Sequence, residues 1–523
     1  MPEESAQTLT GPETIKMLAD ASAEREDEEA AAIAAPRPFV LAIDIGTSSV
    51  RASVFDGRGR EVSGTRARVE RSFRTTPDGG AEADAEELVR QVESVVDASL
   101  ARSSVPSVEA VAVACFWHSL VGIDGQGRAL TPVYGWADTR AAGEAEALRR
   151  RWDEREMHRR TGCRFHAGYW PAKLLWLRKE NPEMYGAIAR WLSPGEFLTL
   201  NLCGEAAASV SMASGTGLLN QRRCEWDEAA LGIADLEASQ LPPLAEPGLT
   251  FRLTDEYARR WPQLRDARLF PAIGDGAANN IGAGCVDTRA AGLMIGTSGA
   301  MRVTWAGEPP ETLPDGLWCY RVDYRRVLVG GALSDGGGLY GWLSDSLKLG
   351  AEANDAALAA LEPDAHGLTV LPFWAGERST GWSAQARGAI LGLSMDTRPV
   401  DIVRAALEAI AYRFALIAEA LLPFAPQAEI QASGGALRAS PTWTQILADV
   451  LGRPLRLAPA REASSRGAVL LALEALGVIE DIASVPTLSP GQTFIPNPAR
   501  RARYLEGLAR QQRAYDAIVR GLQ

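Results

Sequence analysis

Three short turns hold the residues of this chain best suited to chemistry. The first is Asp44-Ile45-Gly46-Thr47-Ser48, the second Gly296-Thr297-Ser298-Gly299, and the third Gly274-Asp275-Gly276. In the first two, an apolar run stops at Gly-Thr-Ser and a β-prone run resumes, Val50 to Val54 and Ala300 to Thr304. That pattern reads as strand, tight turn, strand. Such a turn offers backbone N–H groups free of bulky side chains, with hydroxyls beside them, and these groups bind phosphate oxygens. Its recurrence about 250 residues downstream suggests a duplicated domain with a phosphate chain held between the copies. In the third turn, glycine on both sides of Asp275 lets a substrate approach the carboxylate, although an Asp in that setting also reads as a turn or helix cap. A fourth segment, Ala432-Ser433-Gly434-Gly435-Ala436, ends a strand and precedes a helix, where flat backbone suits an adenine ring or a phosphate.

Two loops follow the strand at Val108 to Cys115: Trp117-His118-Ser119 and Trp136-Ala137-Asp138-Thr139-Arg140. Both tryptophans also read as core aromatics, and His118 as a buried, hydrogen-bonded histidine. Glu377 and Arg378 read as a structural ion pair and Lys173 as a helix-surface residue. His158, His166 and His366 lack metal-ligand spacing. The six cysteines form no C-x-x-C pair, which fits small core residues with reduced thiols in a cytosol and argues against a zinc site.

The elements around these turns alternate. Phe39 to Ile45, Val50 to Phe55 and Glu61 to Val69 read as strands. Asp84 caps a helix through Leu100, and a buried strand follows at Val108 to Cys115. The second half repeats the order: strands from Gly292 to Thr304, Trp318 to Val322 and Val327 to Gly331, a helix at Gly338 to Lys348, and a strand at Leu368 to Pro372. Helices at Ile402 to Leu422, Pro441 to Leu451 and Ser464 to Leu476 complete it. The expectation is α/β: two domains of one plan, residues 38–290 and 291–498, after an acidic disordered tail at 1–37 and before a C-terminal helix at 499–523. At 523 residues, two domains are the natural prior. A net charge of −12 excludes an ordinary nucleic-acid binder, and no apolar run is long enough to span a bilayer. No secretory signal is visible, so a cytoplasmic protein is expected. None of the four lysines follows a Gly-rich turn, so there is no P-loop.

The phrases AIDIGTSSVRASVFD, WADTR, GDGAANN, MIGTSGA, FWAGERSTGWSAQARGAILGL and ASGGALRASPTWTQILADVLGRP, in that order, resemble the FGGY family of carbohydrate kinases in the actin-like ATPase superfamily. WHSLVGID with WADTR, and LWCYRV before VGGALSDGGGLYGWL, look most like its gluconate-kinase-like branch. The resemblance implies two ribonuclease-H-like domains with a cleft between them. It implies ATP and Mg²⁺, with Asp44 holding the metal or its water shell. Gly46, Thr47 and Ser48 would form one phosphate loop, and Gly296, Thr297 and Ser298 the other. Gly434 and Gly435 would bind adenosine, with Gln445 nearby. Asp275 would be the catalytic base, and Trp117, His118, Asp138 and Arg140 would line the sugar pocket. The reaction implied is phosphorylation of a terminal hydroxyl, with D-gluconate the leading acceptor. A pentulose such as xylulose or ribulose is the alternative within the class, and a non-catalytic nucleotide-binding regulator the alternative outside it. For a sugar acid, Arg140 offers a planar, two-pronged match to the carboxylate, His118 a donor, and Asp138 an acceptor for a hydroxyl or a partner for Arg140. A homodimer is compatible with all of this.

Overall fold

The computed structural model describes residues 36–347, 355–383, 385–458, 462–486 and 491–521. Almost all of the expected tail and Lys348 lie outside the described residues.

The first sheet starts from β1 (Val40–Ile45), β2 (Ser49–Phe55) and β3 (Ala67–Glu70), the last shorter than the third strand expected from Glu61. Helix α1 (Ala85–Ala101) follows, capped as expected by the Asp84 carboxylate on the Glu87 N–H. The chain returns as β4 (Ala110–Cys115), parallel to β1. It then builds helical excursions, including α2 (Trp170–Glu180) and α3 (Val210–Ser214). Two short strands, β5 (Arg268–Leu269) and β6 (Ile273–Gly274), join the far side of β4. The order is β5-β4-β1-β2-β3, with β6 also on β4. Helix α4 (Asp275–Gly282) leaves directly from β6.

The second sheet repeats this plan. Strands β7 (Ala290–Ile295) and β8 (Gly299–Ala306) form its hairpin, β9 (Trp318–Arg321) and β10 (Arg326–Leu333) extend it on one side, and α5 (Gly337–Ser346) follows. After α6 (Pro399–Leu421), β11 (Glu429–Ser433) lies parallel to β7. Short α7 (Gly435–Ala439), α8 (Pro441–Leu451), β12 (Leu455–Leu457), α9 (Ala463–Ala475), β13 (Thr493–Phe494) and α10 (Pro498–Tyr515) complete the chain. The order is β9-β10-β8-β7-β11-β12-β13. In both sheets an antiparallel hairpin carries Gly-Thr-Ser at its bend, and its first strand has a parallel neighbour on the other side. The duplication read from the sequence is thus present strand by strand.

The chain's two halves do not keep their cores apart. Ala468, Val469, Ala472 and Leu473 of α9 cover the face of the first sheet made by Val40, Ala42, Ala110, Ala112 and Ala114. Small side chains on that face let the helix settle against it, while α1 packs on the opposite face. Helices α4 and α9 also cross at two glycines. A Cβ on Gly467 would strike the Ala278 carbonyl, and one on Gly282 the Ala463 carbonyl.

Candidate active site

Asp275 stands at the first position of α4, at the end of a strand that is itself held in place. β6 pairs with β4 at Ile273↔Ala114 and Gly274↔Cys115. The Gly274 N–H donates to Ser211 Oγ at 3.1 Å, and the Trp117 indole N–H donates to the Ser211 carbonyl at 2.9 Å. The Trp117 ring fills the space where a Cβ on Gly274 or Gly276 would sit. Trp117, buried at 5 % exposure, is therefore the wall under the Asp275 turn, with its polar atom already used. Burial pushes the Asp275 carboxyl up to about 6, against the pull of Arg302, the Gly276 N–H and Arg378. A carboxylate of that basicity is half-protonated near pH 6 and a competent proton acceptor at neutral pH.

Asp44 closes β1 beside the first Gly-Thr-Ser turn. Its carboxylate accepts from Arg51 at 3.1 Å, and burial raises it to about 7, with Asp275 and Glu462 adding negative charge. Asp44 and Asp275 thus act on each other from the ends of β1 and β6 at one edge of the first sheet, and a cation between them would relieve both. Oxygen donors of this kind suit Mg²⁺. The first turn is closed by Gly46 N–H to the Ser49 carbonyl, 3.0 Å, and Arg71 donates to the Gly46 carbonyl at 3.0 Å. Thr47 Oγ1 accepts from the Trp136 indole at 3.2 Å, and Trp136 carries the Arg378 guanidinium 4.7 Å above its ring. Ser48 is exposed at the tip.

The second turn is wrapped by a segment whose role the sequence reading left open, Asp335-Gly336-Gly337-Gly338. Gly337 N–H donates to the Gly296 carbonyl at 2.7 Å, and Gly336 and Gly338 donate to the Thr297 carbonyl at 3.0 Å each. Gly337 lies 3.2 Å (measured from an ideal Cβ) from the Ala436 methyl, so the Gly296-Thr297-Ser298 turn, the start of α5 and the Gly434-Gly435 turn form one patch. Gly434 has φ +108°, and a side chain there would strike the Ile295 carbonyl. The Gln445 amide donates to Asp449 at 2.7 Å and to the Ile495 carbonyl at 2.8 Å. These two bonds brace α8 against the segment before α10.

The acceptor side holds further departures from the sequence reading. Arg140 is not a free cation. It pairs with Asp138 at 2.6 Å and Glu82 at 2.7 Å, and its guanidinium stacks 4.5 Å over Trp176. Asp138, 2 % exposed, is saturated by Arg140 and the Ala81 N–H. The pair that was to read a carboxylate has its charge balanced internally. Lys173 is not on a helix surface. It is 1 % exposed, its ammonium donates to the carbonyls of Gly168 and His118, and burial lowers it to about 7. Glu377 does not pair with Arg378; it holds Arg413 and accepts from Tyr515. His118 has φ 68° and its Nδ1 lies 2.5 Å from the Gly215 carbonyl, so Nδ1 carries the proton. Burial lowers it to about 3, so Nε2 is a neutral acceptor and not the expected donor. Around it stand Trp117, Tyr169 and Tyr320, the last two joined hydroxyl to hydroxyl at 2.5 Å across the halves of the chain.

Elsewhere, Asp364, His366 and Glu408 sit close enough to share an ion. Arg510 holds Asp364, Arg404 holds Glu408 at 2.6 Å, and His366 Nδ1 accepts from the Leu368 N–H. That is a satisfied ion-pair network. All six cysteines are free, and no described helix is long and apolar enough to cross a membrane.

Residues 39–274 match the N-terminal domain of the FGGY family of carbohydrate kinases, and residues 293–476 its C-terminal domain. Gluconokinase of Bacillus subtilis is 28 % identical over 88 % of this chain and 92 % of that protein. Xylulose kinase of Escherichia coli is 29 % identical over 92 % of this chain and 99 % of that protein. Among solved structures, a gluconate kinase from Lactobacillus acidophilus superposes with a TM-score of 0.83 at 26 % identity, covering 92 % of this chain and 98 % of that one.

Proposed function

The chain belongs to the FGGY family of carbohydrate kinases, with the actin-like ATPase fold, and from that premise we propose that it phosphorylates a terminal hydroxyl of a sugar acid, D-gluconate first. Residues 38–290 carry the acceptor and residues 291–498 the nucleotide. The patch of Gly296, Thr297, Ser298, Gly434 and Gly435 takes ATP, and Gly46, Thr47 and Ser48 face its phosphates. Asp44 would hold Mg²⁺, directly or through its water shell, and the ion would there neutralise phosphate charge.

Asp275 carries the catalytic part of the reading. The acceptor hydroxyl oxygen attacks the γ-phosphorus, the bond from phosphorus to the ADP oxygen breaks, and the hydroxyl proton passes to the Asp275 carboxylate. The aromatic wall of Trp117, Tyr169 and Tyr320 keeps water from competing as acceptor. His118 Nε2 accepts from a substrate hydroxyl.

The choice of a sugar acid rests on charge. Arg302 and Arg378 converge on the acceptor side; among the described residues neither has a carboxylate within ion-pair distance, and the Asp275 charge on which both act offsets only one of them. A pentulose has no use for that surplus. ADP formation measured across gluconate, other sugar acids, xylulose, ribulose and glycerol tests the choice. Gluconate should give the highest kcat/KM; good turnover of xylulose with gluconate ignored removes the sugar-acid reading and leaves the kinase.

A further inference from the structure

Among the described residues, six arginines are buried: Arg302, Arg321, Arg326, Arg404, Arg413 and Arg466. Five have a stated partner. Arg321 donates to the Gln221 carbonyl, Arg326 pairs with Asp323 and Glu474, Arg404 with Glu408, Arg413 with Glu377, and Arg466 donates to the Gly282 carbonyl. Arg302, at 7 % exposure, has no hydrogen bond and no ion pair among the described residues, and its Nε is buried without an acceptor. The Asp275 carboxylate acts on it electrostatically without an ion-pair contact; a buried guanidinium with no hydrogen-bonded partner is costly, and the fold has left the place of that partner open.

The position of Arg302 says what the partner is. It sits on β8, four residues beyond Ser298, and its stem lies over Gly330, whose missing side chain makes the room: Cγ is 3.0 Å from where a Cβ would be. The Trp318 ring lies 2.9 Å from the same point. Its head reaches the other half of the cleft, with Nη2 2.9 Å and Cζ 3.1 Å from an ideal Cβ on Gly276, next to Asp275. The Trp117 ring, 2.7 Å from that same point, is its other neighbour. Trp117 belongs to the aromatic wall around His118, and Trp318 stacks on Tyr320 of that wall at 4.2 Å. Arg302 therefore faces the acceptor, and it holds a planar fork of donors that matches a carboxylate.

We propose that Arg302, and not Arg140, is the specificity-determining residue that receives the carboxylate of the sugar acid; this rests on the sugar-acid reading above. Burial holds the Arg302 guanidinium down at about 10, so it stays charged at neutral pH and gains most from an anion that arrives with the substrate. The rival role is help to Asp275 or to the moving phosphoryl group, which would affect every acceptor alike.

The test compares gluconate with glucitol, the same carbon chain with a hydroxymethyl group in place of the carboxylate, in the full-length protein, Arg302→Met and Arg302→Lys. ADP formation gives kcat and KM for each pair. In Arg302→Met, the gluconate-to-glucitol ratio of kcat/KM should fall roughly 10- to 100-fold, the size of a charge-assisted hydrogen bond, and chiefly through KM. Arg302→Lys should keep part of the preference. An equal loss for both acceptors overturns the proposal in favour of the rival role, and an unchanged ratio overturns it outright; in either case the sugar-acid reading stands. If the unaltered protein accepts neutral acceptors and no sugar acid, that reading falls and the proposal falls with it. Should Arg302→Met not fold, Arg302→Lys decides: a rise in KM confined to gluconate supports the proposal, and equal changes for both acceptors overturn it.

Discussion

At the scale of single residues, burial decides what each group does. Asp275 is raised to about 6 because the cleft removes water from it faster than Arg302 and Arg378 restore charge. A general base works in its ionised form, so kcat/KM should fall about tenfold per unit as pH drops below about 6 and level off above it. Asp275→Asn keeps the shape and removes the basicity. Turnover should fall by roughly 10²-fold or more while ATP still binds by calorimetry, and near-normal turnover would take Asp275 out of the role. Arg140 teaches the opposite lesson. Removing one member of a buried ion pair strands the other, so Arg140→Ala should cost about 3 kcal/mol of stability through Asp138. Its KM should change alike for acidic and neutral acceptors; a rise confined to gluconate would return the carboxylate to Arg140. Asp275 was legible in the sequence because glycine flanks it and an apolar strand leads to it. The pairing of Arg140 with Asp138 was one of the two readings the sequence offered; its second partner, Glu82, was not legible, because it lies far away in sequence and only the pairing Glu82↔Tyr134 brings it near. Arg302 was invisible for the same reason. A lone Arg in a β-prone run reads as solvent-facing until Gly330 and Gly276 are seen to open a space for it.

At the scale of elements, the two hairpins were readable because each is local: an apolar run, Gly-Thr-Ser, and a second run fix strand, bend and strand without help from the rest of the chain. The same holds for α1, whose cap and apolar face lie within its own span. What could not be read was how α4 meets α9. Their crossing depends on two glycines separated by nearly the whole second half of the chain, and nothing near Gly282 or Gly467 announces the contact. At each, a methyl group would enter the other helix's backbone, which cannot step aside as a side chain can. Gly467→Ala should therefore destabilise by about 1–3 kcal/mol or more, as overpacking does, although alanine is the better helix former. Because α4 begins at Asp275, the same change should also lower kcat. A Gly467→Ala protein with unchanged Tm and kcat would show that the helices can separate at no cost.

At the scale of the whole molecule, the sequence suggested two domains joined end to end, and the structure interleaves them. Helix α9 comes from the second half of the chain yet supplies Ala468, Val469, Ala472 and Leu473 to the outer face of the first sheet. In the other direction, the Cys319 N–H donates to the Gly162 carbonyl at 3.0 Å, His158 Nε2 donates to the Leu317 carbonyl at 2.8 Å, and Arg149 reaches the Trp382 carbonyl at 2.9 Å. Trp318, Tyr320 and Trp382 join the core of the first half. A cut at the sequence boundary near residue 290 therefore strips one face of the first sheet, since α1 alone cannot cover both sides. Val40, Ala42, Ala110, Ala112 and Ala114 would then meet water, and the loss of apolar burial falls on strands β1 and β4 that aim Asp44 and Asp275. A fragment of residues 36–290 should accordingly show no cooperative thermal transition by circular dichroism, while the full chain shows one. Joining residues 462–476 to that fragment through a flexible linker should restore a transition, because it returns the missing face. A sharp melt from the unaided fragment would mean that the first sheet stands alone and that α9 only rests on it.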